Sequence, residues 1–186
     1  MAKRLSEMTL EELWQLFPIT LTAHKACWGK WYLEEEGLLK KALPCVKRIS
    51  HIGSTAISSI WAKPIVDILV EISEKKDLLA YKELITQSGY ICMSEGERRL
   101  SFNKGYTENG FAERVFHLHL RYAGDNDELY FRDLLNDFPD IAREYESLKL
   151  SLWKEYEHNR NAYTNAKTEF VKKHTAKAKA LYGERY

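Results

Sequence analysis

His51-Ile52-Gly53-Ser54-Thr55, followed by Lys63-Pro64-Ile65-Val66-Asp67-Ile68-Leu69-Val70-Glu71, is the stretch on which the reading of this chain turns. Twelve residues separate Ser54 from Asp67. A small-residue turn comes first, and a run of aliphatic residues carrying an acid follows. Glycine has no Cβ, so a Gly-Ser turn lets the backbone approach a phosphate, and the serine adds a hydroxyl donor. An acid on the next strand can hold Mg²⁺ against that phosphate. Ile65 to Ile72 is nearly continuous in apolar residues and reads as a strand buried on both faces. Burying an unpaired charge is costly, so Asp67 needs a partner or a metal.

Working outward, Val46 to Ile52 alternates as a strand, and Ser54 or Thr55 is placed to cap a short helix through about Ile60. Upstream, Thr9-Leu10-Glu11-Glu12 reads as a capping box for a first helix that Pro18 stops. A second helix is expected from about Thr22 to Lys41, with Trp28, Trp31, Tyr32 and Leu39 on its apolar stripe and Glu34-Glu35-Glu36 on the other face. Downstream, Lys75 to Ser88 is an amphipathic helix closed by Gly89. Three weaker strands follow (Tyr90 to Met93, Arg98 to Lys104, Glu113 to Leu120), with a turn across Lys104 to Gly110. From Asn126 the chain reads as helical, with breaks near Pro139 and Asn159-Arg160-Asn161. The expected class is α+β, in one domain over residues 1–186: N-terminal helices to 45, a sheet core over 46–122, and C-terminal helices over 126–186. Lys172 to Lys179 reads as a solvated helix end, where cations favour the dipole.

The 186 residues are 45% hydrophobic and 30% charged, enough to bury a core and stay in solution. A formal net charge of +1 argues against nucleic-acid binding driven by overall charge. Cys27, Cys45 and Cys92 are odd in number and form no CxxC pair, which points to a reducing cytoplasm rather than a disulfide framework. No signal peptide is read at the N-terminus, and no apolar run approaches the roughly 20 residues of a membrane span.

The segment from His51 to Val70 resembles the signature of the GrpB family, bacterial proteins of the nucleotidyltransferase (polymerase β-like) fold. Its motif is a hydrophobic residue, Gly, then Gly or Ser, a spacer, and Asp-hydrophobic-acid-hydrophobic; Ile52-Gly53-Ser54 and Asp67-Ile68 fit it. Ser101-Phe102-Asn103-Lys104-Gly105-Tyr106, His117-Leu118-His119-Leu120, Phe131-Arg132-Asp133-Leu134-Leu135, and Tyr163 with Lys167 and Phe170 are similar to the rest of the pattern, in the same order. The resemblance implies a small mixed sheet packed with helices. It also implies a strand at Val115 to Leu120 beside Asp67, and a C-terminal helix packed over a nucleotide. GrpB-like domains also resemble partners joined to dephospho-coenzyme A kinase in some bacteria, which suits a binding role.

Nucleotidyl transfer is an in-line displacement at an α-phosphate, commonly clamped by two metal ions about 3.5–4 Å apart. Two acids at i and i+2 of one strand share a face and hold them, with a third acid from a neighbouring strand. Here the first acid is Asp67, but the i+2 position is Leu69, and Glu71 stands at i+4. On the third-acid strand His117 and His119 project from one face, and with Asp67 they would form a two-histidine, one-carboxylate metal set. The candidate catalytic residues are therefore Asp67, Glu71, His117 and His119. Candidate nucleotide- and phosphate-binding residues are His51, Gly53, Ser54, Thr55, Lys63, Lys104 and Lys167. The expected cofactor is a divalent metal, Mg²⁺ or Mn²⁺, with Zn²⁺ as a further candidate; ligation by the histidines would favour Zn²⁺, Mn²⁺ or Fe²⁺ over Mg²⁺. The expected partners are a nucleotide and a small acceptor, with no membrane. The leading expectation is transfer of a nucleotidyl group from a nucleoside triphosphate. The alternatives are a nucleotide- or phosphate-binding module without chemistry, favoured by Leu69, and a metal-dependent hydrolase built on Asp67, His117 and His119.

Overall fold

The structure, a computed structural model, describes residues 3–186. Helices α1 (Leu10–Leu16) and α2 (Cys27–Ala42) lead into strand β1 (Arg48–Ile52). Strand β2 (Val66–Ile72) and helix α3 (Leu78–Gln87) come next, then strands β3 (Ile91–Glu95), β4 (Arg99–Thr107) and β5 (Gly110–Tyr122). Four helices complete the chain: α4 (Asp127–Asp137), α5 (Pro139–Tyr156), α6 (Arg160–Ala166) and α7 (Thr168–Tyr182). The strands form one mixed sheet in the order β1-β2-β5-β4-β3, with β2 parallel to β5 and the other pairs antiparallel.

Side chains alternate across a strand, and that alternation divides the sheet into two unlike faces. Val66, Ile68, Val70 and Ile72 of β2 join Phe116, Leu118 and Leu120 of β5 beneath α2 and α3, against Trp28, Leu39, Tyr81 and Ile85. Each such buried side chain contributes about 1.5–3 kcal/mol. The opposite face carries Asp67, Leu69 and Glu71, paired in register with His117, His119 and Arg121. Helices α4 to α7 pack beyond this face, around their own core of Tyr130, Leu134, Tyr145 and Ala178. No helix among the described residues is long and apolar enough to cross a membrane.

The capping box at Thr9 forms, with the Thr9 amide donating to Glu12 Oε2 at 2.8 Å and the Glu12 amide to Thr9 Oγ1 at 3.2 Å. Four local expectations need correction. The helix expected through Ile60 is a single 3₁₀ turn over Ser54–Ala56, because the Thr55 hydroxyl bonds to Ile65 O and His51 instead of capping. The second helix starts at Cys27, since Thr22 is drawn into a bridge with Ala62. Glu35 lies inside, not on the solvent face, and accepts from Tyr90 Oη at 3.0 Å and Lys104 Nζ at 2.8 Å. The turn expected over Lys104 to Gly110 is tighter, because β4 runs on to Thr107 and pairs with Gly110. It passes through an irregularity at Gly105 (φ +89°), where a Cβ would lie 2.2 Å from Arg114 O.

Candidate functional site

Gly53 and Asp67 meet at the floor of a cavity of about 460 Å³ between the sheet and the C-terminal helices. A Cβ on Gly53 would stand 2.2 Å from Asp67 Oδ2, so the turn approaches a carboxylate. His117 Nδ1 is 3.2 Å from Asp67 Oδ1 and His119 Nε2 is 4.0 Å away. Arg160 Nη1 donates to Tyr106 Oη at 2.8 Å, and Tyr106 Oη lies 2.9 Å from His117 Nε2. Tyr106 already accepts from Arg160, so its proton goes to His117 Nε2, which leaves the imidazole N–H on Nδ1, facing Asp67. Burial by itself raises the Asp67 pKa, but hydrogen bonds from His117 and His119 outweigh it and hold the carboxyl well below the usual range. Burial lowers the His117 pKa, with Asp67 opposing, so the imidazole is neutral beside an ionised carboxylate.

The wall is cationic. Lys63, Lys149, Arg160 and Lys167 line the cavity with Ser54 and Asp67. Their partners are neutral groups. Lys149, on α5, donates to Ser54 Oγ at 3.1 Å and to Trp61 O. The Tyr163 ring of α6 has Lys167 Nζ 4.3 Å and Lys63 Nζ 5.5 Å from its centroid. Arg160 Nε and Nη2 are buried with no partner among the described residues. Acids at the rim are committed elsewhere, Asp127 to Lys179 and Glu128 to Arg121. Burial, then repulsion from Lys167 and Arg160, brings the Lys63 pKa down to about 7. Burial and Lys167 bring Lys149 down to about 7, and burial brings Lys167 to about 8 against the pull of Asp67. Four cations around one carboxylate leave a surplus of positive charge that suits a polyanion.

Of the residues singled out in the sequence, Gly53, Ser54, Lys63, Asp67, His117 and Lys167 line this cavity together. Thr55 lines it too, but its hydroxyl is spent on Ile65 O and His51. His51 stacks on Tyr32 of α2, and burial takes its pKa to about 4, so it supports the turn and carries no charge for a phosphate. Glu71 lies about 13 Å along β2 from Asp67. It accepts from Gly124 N at 3.2 Å and Asn126 Nδ2 at 3.0 Å and stands 3.5 Å from Arg48, so its carboxylate faces a different set of partners. Lys104 pairs with Glu35 beneath α2, on the far face of the sheet. Among the described residues no three His, Cys, Asp or Glu side chains stand in an arrangement that could hold a metal ion; Asp67, His117 and His119 are neighbours, with the histidine nitrogens turned to the carboxylate. Leu69 is fully buried against Ile52 and Leu129. Among the described residues lining the cavity, Asp67 is the one carboxylate that no lysine or arginine pairs with. That donor set suits a single Mg²⁺ shared with substrate phosphates, and does not suit a two-metal clamp.

Lys149, Arg160 and Tyr106 were not singled out as site residues. The signal for Lys149 was legible: it interrupts an otherwise apolar stripe of Ile141, Ala142, Tyr145 and Leu152. Arg160 was marked only by its helix break.

The family model described as "GrpB protein" matches residues 18–177. The glutamate-rich protein GrpB of Alkalihalophilus pseudofirmus is 35% identical over 160 residues, 82% of this chain and 91% of that one. The UPF0157 protein YqkA of Bacillus subtilis is 31% identical over 170 residues, and the chain spans 88% of itself but only 49% of that relative. The crystal structure of conserved protein GrpB from Enterococcus faecalis superposes with a TM-score of 0.76 at 28% identity, covering 89% of this chain and 100% of that one. A weaker likeness, with a TM-score of 0.49 at 14% identity, is to Cid1 poly(U) polymerase with MgGTP bound, over 78% of this chain and 45% of that one.

Proposed function

The chain belongs to the GrpB family, and from that premise we propose that it binds a nucleoside triphosphate in the cationic cavity and transfers the nucleotidyl group to a small acceptor. The observation that carries this reading is the convergence of Lys63, Lys149, Arg160 and Lys167, each without an acidic partner among the described residues, on a cavity floored by Asp67 and the Gly53-Ser54 turn. Buried charges without counter-charges are costly in the free protein, and a polyphosphate supplies the missing charge. In this reading Lys149 and Ser54 hold one end of the phosphate chain, while Lys63 and Lys167 hold the stretch over the Tyr163 ring. The unpartnered nitrogens of Arg160 take a further oxygen. Asp67 would hold a Mg²⁺ ion, whose chemistry there would be to offset negative charge on the phosphates. His117, neutral and hydrogen-bonded on both nitrogens, orients Asp67. The acceptor oxygen forms a bond to the α-phosphorus as the α–β bridging P–O bond breaks. Pyrophosphate leaves with the electron pair, and the acceptor proton passes to solvent.

Leu69, buried where a second acid would stand, favours a second reading in which the same cavity binds nucleotide without transfer. One set of measurements separates them. Metal-stripped protein is heated with ATP, GTP, CTP or UTP, each with and without Mg²⁺. Ligand at 100 times its Kd stabilises by about 2.7 kcal/mol. Lys149→Met removes a charge-assisted contact of about 1.5–3 kcal/mol, which corresponds to roughly 10- to 100-fold weaker nucleotide binding. Release of pyrophosphate that is lost in Asp67→Asn supports transfer. Nucleotide binding that survives Asp67→Asn, with no pyrophosphate from the native chain, supports the binding module. No stabilisation by any nucleotide, at any metal concentration, removes both.

A further inference from the structure

A second concavity, of about 820 Å³, lies between α1 and the edge of the sheet at β3 and β4. Leu13, Trp14, Phe17 and Met93 line it, and Tyr106 and Arg160 form its inner end. Its lining holds Leu10, Ile91 and Met93, which are 50%, 50% and 58% exposed although large and apolar. Solvated apolar side chains gathered in one groove mark a binding surface rather than scattered surface residues.

Two observations say what it takes. The volume and the aromatic walls of Trp14, Phe17 and Tyr106, with Arg160 and Asn161 among the polar lining, match a site for a small molecule. The groove also shares its wall with the cationic cavity. Arg160 lines both. Tyr106 packs on Phe17, with ring centroids 4.7 Å apart, and turns its hydroxyl to His117, which lines the cavity. The irregularity at Gly105 makes this possible, because it puts Tyr106 on the Asp67 face although Lys104 lies on the other.

We infer that this groove binds the acceptor, a small alcohol with an aromatic or branched apolar body, whose hydroxyl lies at the Tyr106–Arg160 end. This rests on the reading of the cationic cavity as the nucleotide site. The apolar body is held by Trp14, Phe17 and Met93, and the hydroxyl meets the Tyr106 oxygen beside Arg160. The alcohol oxygen then reaches the α-phosphate at the Tyr106–Arg160 end, where the groove and the cavity meet.

The test uses the full chain and three probes, 2-phenylethanol, indole-3-ethanol and cyclohexylmethanol, followed by saturation-transfer NMR with and without ATP and Mg²⁺. At least one probe is expected to bind, to persist when ATP is added, and to bind ten-fold or more weakly in Met93→Lys and in Trp14→Ala. Met93 is exposed on an edge strand, so its variant folds even if Trp14→Ala does not. ATP stabilisation is expected to be unchanged in Met93→Lys. Absence of binding by all three probes overturns the inference. So does binding that survives both variants, or displacement of the probe by adenosine, which would make the groove the nucleobase site. If probes bind in the groove but no nucleotide stabilises the protein, the nucleotide reading fails while the groove remains an alcohol site.

Discussion

At position 53 two separate demands exclude every side chain. The backbone there has φ +70° and ψ −174°, a region occupied essentially by glycine alone, and the space a Cβ would fill belongs to the Asp67 carboxylate. Strain of this kind costs about 1–3 kcal/mol, and the clash adds to it. Gly53→Ala is therefore expected to lower the Tm by roughly 5 °C or more, measured by scanning calorimetry. It is also expected to disturb Asp67, so the loss of nucleotide-dependent stabilisation should exceed what the lower Tm explains. This glycine was legible in the sequence for a related but different reason. A Gly-Ser turn promised close approach to a phosphate, and the close approach found is to the carboxylate. His51 was less legible, because a histidine at a strand end does not announce which way the ring will stack, and a neighbour 19 residues away on α2, Tyr32, decided it.

At the scale of elements, the period-two alternation of β2 correctly placed Asp67, Leu69 and Glu71 on one face, and the register with β5 put His117 and His119 alongside them. Alternation does not say what covers a face, which is why Glu71 looked available. Arg48 of β1 and the turn carrying Gly124 and Asn126 enclose it. The irregularity at Gly105 is the other feature that pattern-reading misses. At Gly105 one residue of β4 stands against four of β5, and this shift reverses which side chains face the site, so Lys104 goes to Glu35 and Tyr106 goes to His117. Leu69 shows how far the element has settled into its present chemistry. Leu69→Asp restores an acid at i+2 but places it among Ile52, Leu129 and Tyr186, with only the His119 imidazole across β5 beside it. Burial of such a charge costs several kcal/mol. The variant is expected to lose 10 °C or more in Tm, with no rise in pyrophosphate release. A stable, more active Leu69→Asp would show that the face is more accommodating than its packing implies.

For the molecule as a whole, the cations of the cavity come from places far apart in the chain: Lys63 before β2, Lys149 on α5, Arg160 at the start of α6, and Lys167 where α6 meets α7. The sequence disclosed the helices of this half and the break at Asn159 that frees Arg160. It did not disclose their convergence, since helical periodicity shows which residues share a stripe and leaves open which stripe meets the sheet. Gathering these charges has a pH signature. Unfolded lysines keep their protons to about 10.4, whereas Lys63 and Lys149 lose theirs near 7 and Lys167 near 8 in the folded chain. Between those limits the unfolded chain binds more protons, so stability rises with pH. Calorimetry should show the Tm of the ligand-free protein climbing from pH 6.5 to pH 9, with a flatter profile in Lys63→Met/Lys149→Met. Nucleotide affinity should move the other way and fall over the same interval, because phosphate binding needs the lysines charged; titrations in buffers of different ionisation enthalpy should report proton uptake at pH 8. The meeting of these four segments also bears on how the molecule moves. Without a guest, the sheet and the terminal helices are pressed together by their cores while the charges along their seam push them apart. A bound anion acts as a shared counter-ion across that seam, so its departure loosens the joint it had tightened. On the proposed reading, binding and release of the nucleotide and the breathing of the C-terminal half would then be one motion.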